Sequence, residues 1–138
     1  MSTEENKALV RRFYEEVWNR GNLGVADEVF AAGYVRQDLR PTAVPPGPEG
    51  QKLIANMFRT AFPDGQGTID LLIAEADMVV ARWTIQGTHQ GAWINIPPTG
   101  KRVSFAGVNI FRIAGGKVVE IWNHRDDLGL MQQLGVPS

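Results

Sequence analysis

Asn109 and Asn123 are the two side chains whose type and spacing point most directly to chemistry. Counting every second residue from Val103 gives Val103, Phe105, Gly107, Asn109, Phe111 and Ile113, an apolar series interrupted by one amide. The same count through KVVEIWNHRD gives Val119, Ile121 and Asn123. Burying an amide without a hydrogen bond costs roughly 1–3 kcal/mol. Two amides on adjacent apolar faces are therefore either partners of one another or polar groups aimed into a ligand cavity, and the cavity is the favoured reading. An amide cannot titrate near neutral pH, but it can donate to an oxyanion, accept from a hydroxyl or orient a water.

The titratable candidates are few. His89, in GTHQG, continues the inward parity of Trp83, Ile85 and Gly87 and is a candidate base near pH 7. Its competing role is that of a histidine locked by a backbone hydrogen bond at a strand end. Asp126, three residues beyond Asn123, is a second candidate, set against a cap for the terminal helix DLGLMQQLG. Asp38 reads as a solvated loop acid. Tyr14 and Tyr34 carry hydroxyls but read first as wall. Trp83 and Trp93 would suit a flat polycyclic ligand by stacking. His124 falls on the outward parity. Two separate histidines make no metal site, and the absence of cysteine excludes a thiolate ligand, a cysteine nucleophile and a disulfide scaffold.

These groups must be positioned by a chain whose hydrophobic period changes once. From Ser2 to Arg20 the residues Leu9, Val10, Phe13, Tyr14, Val17 and Trp18 form a helical stripe, with capping-box spacing at Ser2 and Glu5 and a stop at Gly21. GVADEVFAA predicts a short second helix carrying Val25, Val29 and Phe30 and ending near Gly33. After the loop RPTAVPPGPEG, Pro48 and Glu49 open a third helix that should bury Leu53, Ile54, Met57, Phe58 and Phe62. Beyond Gly67 the period falls to two, predicting strands at 68–75, 78–91, 101–113 and 117–125. Helices first and antiparallel strands after them read as an α+β fold, with the helices on one face of a curved sheet. The cavity expected between them is lined by Phe13, Val17, Phe58, Trp83, Phe105, Asn109, Phe111, Ile121 and Asn123. The other sheet face, with Arg82, Ile110, Arg112 and Trp122, reads as a homodimer surface.

Composition narrows the class. At 138 residues the whole chain, 1–138, reads as a single domain. Its net charge of −1 and scattered basic residues give no footprint for nucleic acid. No apolar run approaches the roughly 20 residues of a membrane span, and MSTEENKALVRR does not read as a signal peptide. A cytoplasmic protein is the expectation.

The segments ENKALVRRFYEEVWNRGN, FAAGYV, PPGPEG, AFPD, GTHQGAWINIPPTGKRV, VNIFRIAGGKVVEIWN and DDLGLMQQLG follow one another over nearly the whole length. In this the sequence resembles the SnoaL-like polyketide cyclase (ester cyclase) family, which has the cone-shaped α+β barrel first known from nuclear transport factors. The resemblance implies a homodimer and an apolar pocket for a small apolar or polycyclic molecule. It also implies intramolecular aldol ring closure of a bulky carbonyl compound, with no metal or organic cofactor. The family's acid/base aspartate and its assisting histidine match Asn123 and Asn109, and a further histidine matches Gln37. A pocket and fold thus carry over, without the titratable groups. Tyr34, Gln37 and Trp93 join the residues expected to touch the ligand. A non-catalytic binding protein, or a related hydroxylase or isomerase, stays open beside the cyclase.

Overall fold

The computed structural model describes residues 2–38 and 45–135. Helix α1 (Thr3–Arg12) opens on the expected capping box. The Glu5 amide donates to Ser2 Oγ at 3.1 Å, while the Ser2 amide donates to Glu5 Oε1 at 3.2 Å. At Phe13 the helix widens into a π-helical segment, Phe13–Asn19, with an i→i+5 bond from the Arg20 amide to the Glu15 carbonyl at 3.1 Å. The wider turn lets Phe13, Tyr14 and Val17 all bury at once. Gly21, at φ +74°, ends it where a side chain would meet the Arg59 guanidinium. Arg59 Nη1 donates there to the Trp18 and Asn19 carbonyls at 2.9 and 3.0 Å, satisfying carbonyls that a helix end leaves without partners.

The second helix is shorter than GVADEVFAA predicts. One 3₁₀ turn, Leu23–Val25, leads into α2 (Ala26–Val29), and at Phe30 the chain becomes strand β1 (Phe30–Asp38). Phe30 and Tyr34 point inward from β1 and pack ring to ring at 4.9 Å. Gly33 is thus a strand residue rather than a helix stop. The helix-favouring Ala31 and Ala32 are overridden because the edge of the last strand needs a pairing partner. Helix α3 (Pro48–Ala61) then buries Ile54, Ala55, Phe58 and Ala61, with Phe62 just beyond it. Leu53, expected in its core stripe, is instead 40% exposed, and Met57 is only partly covered.

The remaining strands are β2 (Gln66–Glu75), β3 (Met78–Thr88), β4 (Arg102–Ala114) and β5 (Lys117–Arg125), followed by α4 (Asp127–Gln133). The sheet order is β1-β5-β4-β3-β2. All neighbours are antiparallel except β1 and β5, which run parallel from Phe30 beside Val118 to Asp38 beside Asn123. The expectation of a wholly antiparallel sheet is corrected at that one edge. A register shift pairs Arg112 with Glu120 but Ile113 with Val118. Val119 is the extra residue, so the fully buried position is Val118 and not Val119 as simple alternation predicts. After the shift Ile121 and Asn123 resume the expected face.

The core lies between this sheet and the helices. Phe13 meets Phe30 at 4.9 Å, Tyr14 at 5.2 Å and Phe111 at 6.2 Å, and burying such a ring contributes about 1.5–3 kcal/mol. No helix among the described residues is long and apolar enough to cross a membrane.

Candidate functional site

Asn109 and Asn123 lie directly opposite one another across β4 and β5 and share the wall of one cavity. Around them stand Phe13 and Trp18 from the π segment, Arg36 from β1, Gln51, Ile54 and Phe58 from α3, Trp83 from β3 and Arg125 from the end of β5. The space is about 390 Å³, counting its mouth to solvent. The lining mixes aromatic and aliphatic side chains with amides and guanidiniums.

Several of the polar groups are held by their neighbours. Asn109 is 8% exposed, and its Nδ2 donates to the Tyr14 hydroxyl oxygen at 2.8 Å. Burial pushes the Tyr14 phenol far above its ordinary pKa, which the Asn109 bond only partly opposes. Tyr14 is therefore neutral and keeps its own proton. Gln51 Nε2 likewise donates to the Tyr34 hydroxyl oxygen, at 3.1 Å. The Arg125 guanidinium lies 5.0 Å from the centre of the Phe58 ring and 5.6 Å from that of Trp93, and its Nε donates to Asp127. Trp83 Nε1 is buried and has no hydrogen-bond partner among the described residues. Gly107, beside Trp83 in register, leaves the space into which the indole leans.

Of the residues expected from sequence, Phe13, Phe58, Trp83, Asn109 and Asn123 come together on this wall. Val17, Tyr34, Phe105, Phe111 and Ile121 lie in the core behind it. Trp93 packs on Phe58 at 4.3 Å, as an outer layer. Three expectations need correction. Gln37 is exposed and donates to Glu120 at 3.2 Å, away from the cavity, because neighbouring residues of a strand face opposite sides. Asp126 is the N-cap of α4, accepting from the Gly129 amide at 2.9 Å. His89 is fully buried against Phe62, with the Thr99 amide donating to Nδ1 at 3.2 Å and no partner for Nε2 among the described residues.

Burial holds the His89 pKa below the ordinary histidine value, and the Gly91 backbone opposes part of that fall. The unfolded chain takes up the proton near the usual 6.5, while the folded chain resists it. Stability should therefore be complete above that pH and decline as pH falls toward the folded value. His89→Gln should flatten this part of the curve, which urea midpoints measured across mildly acidic pH would reveal.

Trp18, Arg36, Gln51, Ile54 and Arg125 are cavity residues that the sequence reading did not select. Arg125 was legible, since it follows Ile121 and Asn123 at the same parity. Arg36 was hidden because its segment did not read as a strand. Gln51 sits three and seven residues before Ile54 and Phe58, on the same face of α3, but as a polar residue it does not register in an apolar stripe.

Comparison with known proteins bears directly on this arrangement. Residues 8–134 match the family described as SnoaL-like polyketide cyclase. Nogalonic acid methyl ester cyclase of Streptomyces nogalater is 26% identical over 87% of this chain and 90% of its own length. Aklanonic acid methyl ester cyclase DnrD of Streptomyces peucetius is 30% identical over 99% of this chain and 94% of its own. Among solved structures, TsrD from Streptomyces laurentii superposes with a TM-score of 0.89 at 30% identity, covering 99% of both chains. AclR from Streptomyces galilaeus gives 0.86 at 31% identity, over 99% of this chain and all of the other.

Proposed function

This chain belongs to the SnoaL-like polyketide cyclase family, and from that premise we propose that it binds a bulky, largely apolar carbonyl compound and stabilises its enolate. The observation that carries the reading is the Asn109–Asn123 pair on the wall of a cavity that Phe13, Ile54 and Phe58 also line. In an aldol-type closure a proton leaves the carbon beside one carbonyl, and charge gathers on that oxygen. The enolate carbon then bonds to a second carbonyl carbon within the molecule, whose oxygen finally takes a proton. Asn109, Asn123 and Trp83 Nε1 are the donors suited to hold the developing oxyanion, each such donor being worth about 10²–10³ in rate. Tyr14 fixes the Asn109 amide from behind.

Among the described lining residues the ionisable ones are both arginines, which do not accept protons near neutrality. A reacting C–H flanked by two carbonyls would lose its proton to solvent once the enolate is stabilised. The same cage favours a second reading, a binding protein without turnover. Asn123→Asp separates the two, since it installs a carboxylate where the family's cyclases are expected to carry one. Nogalonic or aklanonic acid methyl ester, the compounds named for the two cyclase relatives, should be cyclised faster by this variant than by the parent, as product chromatography would show. If Asn109→Leu and Asn123→Leu both bind and turn over the ester like the parent, the reading fails.

We also infer that two copies pair through the outer sheet face. Leu71 and Ile73 are 57% and 59% exposed there, beside the half-covered Ile110 and Trp122. Arg82 and Arg112, held by Asp70 and Glu120, flank the patch. Sedimentation should give a dimer at micromolar concentration, and Ile110→Glu should shift it to monomer. A parent protein that sediments only as monomer would rule the pairing out.

A further inference from the structure

The polar wall of the cavity consists mostly of donors, and two of them are cationic. Arg36 and Arg125 both line it, from the two strands that run parallel at one edge of the sheet. Arg125 is one-quarter exposed and spread over Phe58 and Trp93, with its Nε already committed to Asp127. That contact fixes the plane of the guanidinium while its two terminal nitrogens carry further donors. On the same wall Trp83, 7% exposed, holds a buried indole N–H that no described residue accepts. Such an unpaired donor is costly to bury and is satisfied when a ligand oxygen reaches it. The amides of Asn109 and Asn123 stand beside it. The described residues that line the cavity carry no carboxylate, although Asp127 is ion-paired with Arg125 and offsets part of its charge.

We infer that the preferred occupant of this cavity is a flat aromatic compound that carries a carboxylate beside the carbonyl required by the proposed function. The inference rests on reading this cavity as the ligand site. A planar carboxylate matches the guanidinium fork with two parallel hydrogen bonds, and charge-assisted bonds of this kind are roughly twice as strong as neutral ones. An ester offers acceptors of similar geometry but no charge. Phe13 and Ile54, which line the same cavity, and the part of Phe58 that Arg125 leaves uncovered take the apolar rings.

The test is a matched pair of probes, anthracene-2-carboxylate and its methyl ester, titrated calorimetrically into the full chain at neutral pH. The acid should bind about ten-fold more tightly than the ester or better, the range expected for a charge-assisted bond. Arg125→Met should lower the affinity of both probes but the acid far more, so that the ratio of acid to ester affinity collapses toward one, and Arg125→Lys should recover part of that ratio. Circular dichroism melting checks that each variant folds. Arg36→Met, expected to act the same way, takes the place of an Arg125 variant that does not. Equal binding of acid and ester by the parent protein would overturn the anion inference and leave the carbonyl site standing. An acid preference that survives both methionine variants would also overturn it. Binding of neither probe would remove this inference and the cavity reading together.

Discussion

Replacing Gly107 by alanine is expected to destabilise the protein by about 1–3 kcal/mol, the usual cost of overpacking a filled interior. The added methyl would press on the Trp83 indole and come within 2.8 Å of the His124 carbonyl oxygen. Backbone on the far strand cannot retreat, so the indole must. For a domain of this size the melting temperature should fall by about 3–10 °C. Because Trp83 is also cavity wall, affinity for a ligand should fall with it. Trp83→Leu in the same chain should relieve much of the loss, leaving the double variant more stable than the two single effects added together. Thermal melts of the four proteins measure this. Simple additivity would show that Gly107 and Trp83 do not constrain one another.

Asn109→Leu should produce a double loss. It removes a buried donor from the Tyr14 hydroxyl, and a buried polar group left with an unmade bond costs about 1–3 kcal/mol in stability. A ligand carbonyl loses its partner as well, so affinity should drop by roughly 5- to 150-fold, the same energy expressed as a binding constant. Asn123, only half-buried, should behave differently under the same change: similar loss of ligand, little loss of stability. Denaturant midpoints and ligand titration on both variants separate these outcomes. Equal stability of Asn109→Leu and the parent would show that the Tyr14 bond contributes nothing to the fold. Should the substitution act only on kcat with KM unchanged, the amide acts on the transition state and not on ground-state binding.

Much of the architecture was legible because hydrophobic period is a strong signal where an element buries one clean face. The alternation through Val103–Ile113 reads directly as the inward face of β4, and the Ser2–Glu5 box as the start of α1. Strand β1 was not legible. Its pairing partner is distant in sequence, and FAAGYV carries as much helix as strand preference, so only the tertiary context decides it. The extra residue at Val119 was hidden for a related reason: an alternation count has no means of seeing a two-to-one pairing until the partner strand is in place. The Asn109 and Asn123 position followed from parity alone. Gln37 did not, since its role was read without knowing which way β1 faces. Gln51 escaped because apolar stripes are found by looking for apolar residues, whereas a cavity wall is built partly from side chains that are not, and Arg36 went with the unread strand β1.

The parallel pairing of β1 with β5 joins segments that leave the ribosome far apart in time. Phe30 pairs beside Val118, and at ordinary synthesis rates the interval between them is roughly 4–18 s. During it the emerging N-terminal segment, with Tyr34 and Val35, has no native edge to rest against. The antiparallel ladder from β2 to β5 can assemble from near neighbours, and β1 is docked last, after the C-terminal strand is released. Docking of β1 thus waits for the synthesis of β5, and until then the nascent segment depends on the α1 and π-helical residues, or on a chaperone, to shield its rings.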